Sequence, residues 1–157
     1  MFLTVHSTVG VFIGENLSNP AWAFLGGLFS HYLFDAIPHG DEKLNQLSLT
    51  KLSYLAVVDQ AILLTNLLLL FHFKPDLTLN MVMIAAIIGS ILPDWLTALH
   101  RLCENFTNVF ARRLYRLLTP LQNFHLFIHI RLVPYEISLT LGLVLQIIFL
   151  AGLWTII

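Results

Sequence analysis

Apolar residues in this chain run in long stretches separated by short polar gaps. The first stretch, Phe2 to about Gly14, holds His6. It has neither a basic flank nor a small-residue cleavage site, so it reads as a retained helix and not as a removed leader. Asn16 to Asn19 make a turn, and Pro20 opens a second stretch, as suits proline in a first helical turn. That stretch runs to Ile37 and is stopped by Pro38 and Gly40. Leu52 to Phe73 and Leu79 to Leu99 each reach the roughly 20 residues a membrane-crossing helix needs, with Pro93 interrupting the second near its end. From Arg101 to Arg131 the pattern changes. Arg112, Arg113 and Arg116 interleave with Val109, Phe110, Leu114, Leu117 and Leu118, the pattern of a helix lying in a membrane surface. Pro120 is expected to break it, with Leu121 to Ile130 dipping inward. Pro134 to Ile157 is the last span. The prediction is one all-α domain over residues 1–157, an integral membrane bundle of about five transmembrane helices plus an amphipathic interfacial helix.

Composition agrees. The 157 residues are 57% apolar and 11% charged, against roughly 25% charged in soluble domains, and mean hydropathy is +0.81. A net charge of −1 gives no pull toward nucleic acid, and the single cysteine, Cys103, excludes a disulfide or a cysteine metal cluster. Membrane lipids are the expected partners. Five of the eight basic residues lie between Arg101 and Arg131, and Lys43 and Lys51 lie after the second stretch. Placing both regions in the cytoplasm makes the spans alternate consistently, with the N-terminus inside and Lys74 to Asp76 outside. A bacterial inner membrane suits this layout.

Seven histidines stand out among so few charges. The alternation puts His6, His31, Asp35, His39, Asp59, Asp94, His100 and Glu136 toward one membrane face, with Glu15, His72 and Asp76 toward the other. An ionisable group at membrane depth costs at least about 2.5–3.5 kcal/mol, so several at one level imply a shared polar pocket. His31 and Asp35 are four residues apart and stack on one helical face, while Pro38 leaves His39 free to turn back. Imidazole and carboxylate are ligands for zinc, manganese or iron. Asp94 and then His6 are the candidates from other spans, and Gly26, Gly27 and Gly89 would let those helices approach. A His–Asp pair at this spacing is equally read as a self-satisfied contact. Asp59 beside Gln60 also reads as a helix–helix hydrogen-bonding device. His125 and His129, also four apart, read as solvated or headgroup-facing because they flank the interfacial region.

With those residues in view, the chain resembles the inner-membrane metal-dependent hydrolases of the LexA-regulated, YdjM-like group. His6 and Gly10 match its N-terminal His-to-Gly spacing. Gly27, Ser30, His31 and Asp35 match a Gly-x-x-Ser-His-x-x-x-Asp segment, and Gly89 to Asp94 match Gly-Ser-apolar-Leu-Pro-Asp. The order of the last two segments is reversed here, Leu96 stands where a second Asp follows, and His100-Arg101 is a fragment of a longer His-Arg segment. The run from His31 through Asp35 to Pro38-His39 is also similar to the signature of zinc-dependent phospholipases C. Both resemblances imply metal-dependent hydrolysis, the second of a phosphoester.

The expected function is therefore a membrane-embedded hydrolase acting on a phosphoester or lipid substrate at the cytoplasmic face. His6, His31, Asp35 and Asp94 hold one or two divalent ions, zinc first, and His39 or His100 ligates or serves as general acid. Arg112, Arg113 and Arg116 dock headgroups. The rival reading is a metal- or proton-handling transport or sensor protein, since intramembrane Asp and His also line ion pathways. A pathway would need polar groups toward both faces. Asp59, Gln60, Thr65 and Asn66 could continue one, but the span before Ser90 is almost wholly apolar.

Overall fold

The computed structural model describes residues 1–40, 47–132 and 137–157, and the side chains of Ile130 and Arg131 are not described. The described chain is all-helical: α1 (Leu3–Asn16), α2 (Pro20–Asp35), α3 (Leu49–Phe73), α4 (Met81–Glu104), α5 (Val109–Leu126), a π-helical turn (Phe127–Leu132) and α6 (Leu139–Ile156). Polar residues in the gaps start these helices. Asn19 accepts from the amides of Ala21 and Trp22, Asn80 from Val82 and Met83, Asn108 from Ala111, and Ser138 from Leu141.

Among the described residues, three helices are long and apolar enough to cross a membrane: α3, α4 and α6. The most apolar stretches of α3 and α6 are only 17% buried, against 39% for α4. Exposed Val57, Ile62, Leu64 and Leu68 on α3, and Ile147 and Ile148 on α6, are the surface hydrocarbon would cover. These features make the chain a membrane-type helical protein. At 14 and 16 residues, α1 and α2 rise about 21 and 24 Å, short of the roughly 30 Å hydrocarbon core.

The bundle is organised around α1 and α4. Ten of the fourteen α1 residues are buried, and α1 packs against α2, α3, α4 and α6. Its polar residues are closed by neighbours. Asn66 donates to Thr8 Oγ1 (2.8 Å) and accepts from Trp154 Nε1 (3.0 Å), tying α1, α3 and α6 together. Asp59 takes the amide of Leu3 (2.9 Å) and the hydroxyl of Thr4 (3.2 Å), and Gln146 takes the amide of Phe2 (2.8 Å). These are donors at the start of α1 that its own turns leave unpaired. Asp59 is thus the hydrogen-bonding device between helices.

Helices α2 and α4 touch backbone to backbone. A methyl at Gly27 would collide with the Ala86 carbonyl, and one at Gly89 with the Phe24 carbonyl. Only glycine permits that approach. At Gly26 a methyl would meet only side chains of Ile13 and Leu17, so Gly26 does not belong to this seam. Two breaks expected from proline are absent. Pro93 lies inside α4 and Pro120 inside α5. Each removes one amide donor, and packing of the surrounding helix keeps both helices continuous. Lys43 and Glu136, assigned above to the cytoplasmic face, lie outside the described residues.

Candidate metal centre

Asp35 closes α2 and is 1% exposed. Imidazoles from four elements surround its carboxylate. Oδ1 lies 3.0 Å from His6 Nε2; Oδ2 lies 3.0 Å from His31 Nε2, 3.5 Å from His125 Nε2 and 2.9 Å from His129 Nε2. The amino group of Met1 is 2.8 Å from Oδ1 and 2.6 Å from His39 Nε2. Asp94 Oδ1 stands 3.8 Å from His31 Nε2 and 3.7 Å from His125 Nε2.

Two sets of ligand atoms follow, each within 4.8 Å of one another: His31, Asp35, Asp94 and His125; and Asp35, His39 and His129. Asp35 is common to both. Two ligands about 2.1 Å from one zinc at the tetrahedral angle stand roughly 3.4 Å apart. The four carboxylate–imidazole distances in the first set, 3.0 to 3.8 Å, bracket that value.

Proton positions on two rings are settled by chemistry. His31 Nδ1 donates to the Ser90 carbonyl (2.8 Å) and His39 Nδ1 to the Ile37 carbonyl (2.7 Å), since a carbonyl only accepts. In the neutral ring, Nε2 then carries a bare lone pair. His31 Nε2 is buried, makes no hydrogen bond of good geometry, and faces two carboxylates. A lone pair against two anions is repulsive unless a proton or a metal cation lies between them. Backbone carbonyls holding the far ring nitrogen are also the usual arrangement behind metal-bound histidines. Burial pushes the His125 imidazole down to about 3, which keeps it in the neutral, ligating form. The cluster fits a divalent ion.

The expected residues divide as follows. His31, Asp35 and Asp94 share one set, and His39 joins the other. His6 reaches Asp35 but stands outside both sets, stacked on His31 with ring centroids 4.1 Å apart, where it orients the carboxylate and the ring. His100 is not brought to the cluster. It stacks on Tyr115 (4.3 Å) and pairs with Thr119 (3.3 Å), joining α4 to α5. His72 stands apart, against Phe73.

His125 and His129, read from sequence as headgroup-facing, are the residues the structure adds. Their rings stack at 4.7 Å, with His129 in the π-helical turn that follows α5. At more residues per turn than an α-helix, that turn brings residues four apart closer to one line, and such turns recur at functional sites. Their i, i+4 spacing repeats that of His31 and Asp35 and was the available signal.

The chain matches no protein-family model, no curated protein and no solved structure. The reading of the site rests on its geometry.

Proposed function

We propose that this protein is a membrane-embedded metal-dependent hydrolase acting on a phosphoester or lipid substrate at the cytoplasmic face. The observation that carries the reading is the buried, unpaired Nε2 of His31, held by Ser90 to face Asp35 and Asp94. His31, Asp35, Asp94 and His125 would hold the ion, with His39 and His129 beside the shared Asp35. Zinc, or manganese or iron, would supply Lewis acidity and a hydroxide nucleophile near neutral pH. His39, its Nδ1 proton fixed on Ile37, presents Nε2 toward the site and can take up or return a proton there. Arg112, Arg113 and Arg116, in the half of α5 away from His125, would hold anionic headgroups at the membrane surface.

The motif likeness to the inner-membrane hydrolases supports the same reading, because the three segments that carry it, around His6, His31–Asp35 and Asp94, lie together around one carboxylate. The rival transport reading would need polar groups continuing across the bundle. Thr8, Asn66 and Trp154 instead satisfy one another. We further propose that α1 and α2 count as short spans, giving five transmembrane helices in a bacterial inner membrane with the N-terminus cytoplasmic and α5 interfacial. Reporters placed at residues 45 and 76 should then report opposite sides; the same side for both would overturn this topology.

Elemental analysis of protein purified without chelator should find at least about one zinc, manganese or iron per chain. His125→Ala should weaken retention by at least about 10- to 100-fold, the loss seen even for partners of ligands. His100→Ala should leave metal content unchanged. Metal-free wild type, or equal retention in His125→Ala, would remove the centre.

A further inference from the structure

Beside the cluster lies a cavity of about 220 Å³ between α2, α4 and α5. Its wall is almost wholly apolar, with Leu28, Leu92, Leu96, Leu118 and Leu121 among the lining residues. His125, whose Nε2 belongs to the cluster, stands in the wall. The lining passes from buried Leu118, Gln122 and His125 to Leu121, which is 47% exposed, so the cavity has a deep end at the cluster and an open end on the apolar surface. Pro93 lines it as well.

Two polar atoms of wall residues are buried without a hydrogen-bond partner, His125 Nδ1 and Gln122 Oε1, and only the second is an amide oxygen that must accept. Gln122 is 9% exposed, and its Oε1 is buried without a hydrogen-bond partner. Leaving a buried acceptor unmade costs about 1–3 kcal/mol, so an occupant that donates to it is strongly favoured. That occupant has a hydroxyl or amide donor close to the part that reaches the cluster. The rest of the wall demands hydrocarbon. With each methylene taking about the 30 Å³ of a water molecule, the volume accommodates roughly seven methylenes, the first part of one lipid chain.

We propose that this cavity is the substrate's chain-binding site, and that it takes a single-chain lipid phosphoester with a free hydroxyl beside the phosphoester, of the lysophospholipid class. The inference rests on the hydrolase reading for what happens at the headgroup, but not for the binding itself. The phosphoester lies at the cluster, the hydroxyl donates to Gln122 Oε1, the first part of the chain fills the cavity, and the remainder leaves past Leu121 into the bilayer.

The test uses the full-length protein in phosphatidylcholine vesicles doped with a lysophosphatidic acid that carries a photoactivatable diazirine midway along its chain. Mass spectrometry after irradiation maps the labelled residues, and metal content is measured on the same samples. Labelling is expected at Leu96, Leu118 and Leu121. Leu118→Trp, which fills the cavity, and Gln122→Met, which removes the acceptor at similar volume, should each lower it by about tenfold. Leu117→Trp on the exposed face should leave it unchanged, and Leu121→Trp blocks the open end should Leu118→Trp fail to fold. Labelling spread over outward-facing residues, or unaffected by the filling substitutions, overturns the proposal. Equal competition by a diacyl phosphatidic acid overturns the single-chain assignment. Cavity labelling in protein that binds no metal would sink the hydrolase reading and leave the lipid site standing; bound metal without cavity labelling would do the reverse.

Discussion

Asp35→Asn protein, purified in parallel with wild type, is expected to lose its metal almost completely while keeping its helical content. The side chain is completely inaccessible, and its two oxygens serve both candidate ligand sets. Asparagine preserves the shape but removes the charge, and its amide directs a donor where an acceptor is needed. Removing one partner of a buried charge pair costs about 3–5 kcal/mol, or about 150-fold to several thousand-fold in ion affinity. Elemental analysis and circular dichroism on the same preparation check both halves of the expectation. A metal content equal to wild type would reduce the cluster to a hydrogen-bonded core. Because the shared residue is lost, both sets should empty together, whereas His129→Ala should affect only the set with His39.

Gly89→Ala should produce the largest loss of stability for the smallest change in chemistry. The added methyl would collide with the carbonyl of Phe24, and backbone cannot rotate aside as a side chain can. Overpacking of this kind costs about 1–3 kcal/mol. The seam it opens also sets the distance between α2, which carries His31 and Asp35, and α4, which carries Ser90 and Asp94. A displacement of a few tenths of an ångström there would spoil the contact from His31 Nδ1 to Ser90 and widen the 3.8 Å between His31 and Asp94. Thermal unfolding in detergent and metal content should therefore fall together. Gly152→Ala is the control: nothing lies near the position its methyl would occupy, and neither measurement should change.

Much of this architecture is legible in the sequence because membrane helices are written in long apolar runs, and few charges leave little to misplace. The α2–α4 seam follows from Gly27 and Gly89, and the meeting of His31, Asp35 and Asp94 from the side of the membrane each one reaches. Three matters escape that reasoning. Hydropathy cannot distinguish a helix surrounded by lipid from one surrounded by other helices, so α1 reads as a span although protein covers most of it. Proline rules describe an isolated helix, while the packing around Pro93 and Pro120 keeps α4 and α5 continuous. His125 and His129 escape because their neighbours are amphipathic, and a moment toward the membrane surface says nothing of the face that turns inward. His100 shows the converse. It lies at the expected level, but its position on α4 turns it to Tyr115 and Thr119.

The enclosure of α1 bears on how the protein comes to be assembled. Thr4, His6, Ser7 and Thr8 sit at buried positions of this helix, a composition that partitions poorly into hydrocarbon on its own. Its partners Asp59, Asn66 and Gln146, and Trp154 that holds Asn66, are all supplied by helices that leave the ribosome later. The segment synthesised before them would be the one seated after them, held at the translocon or the bilayer surface until α3 and α6 are in place. Completion of the His–Asp cluster would then coincide with the end of biogenesis, and a truncated or stalled chain would carry no assembled centre.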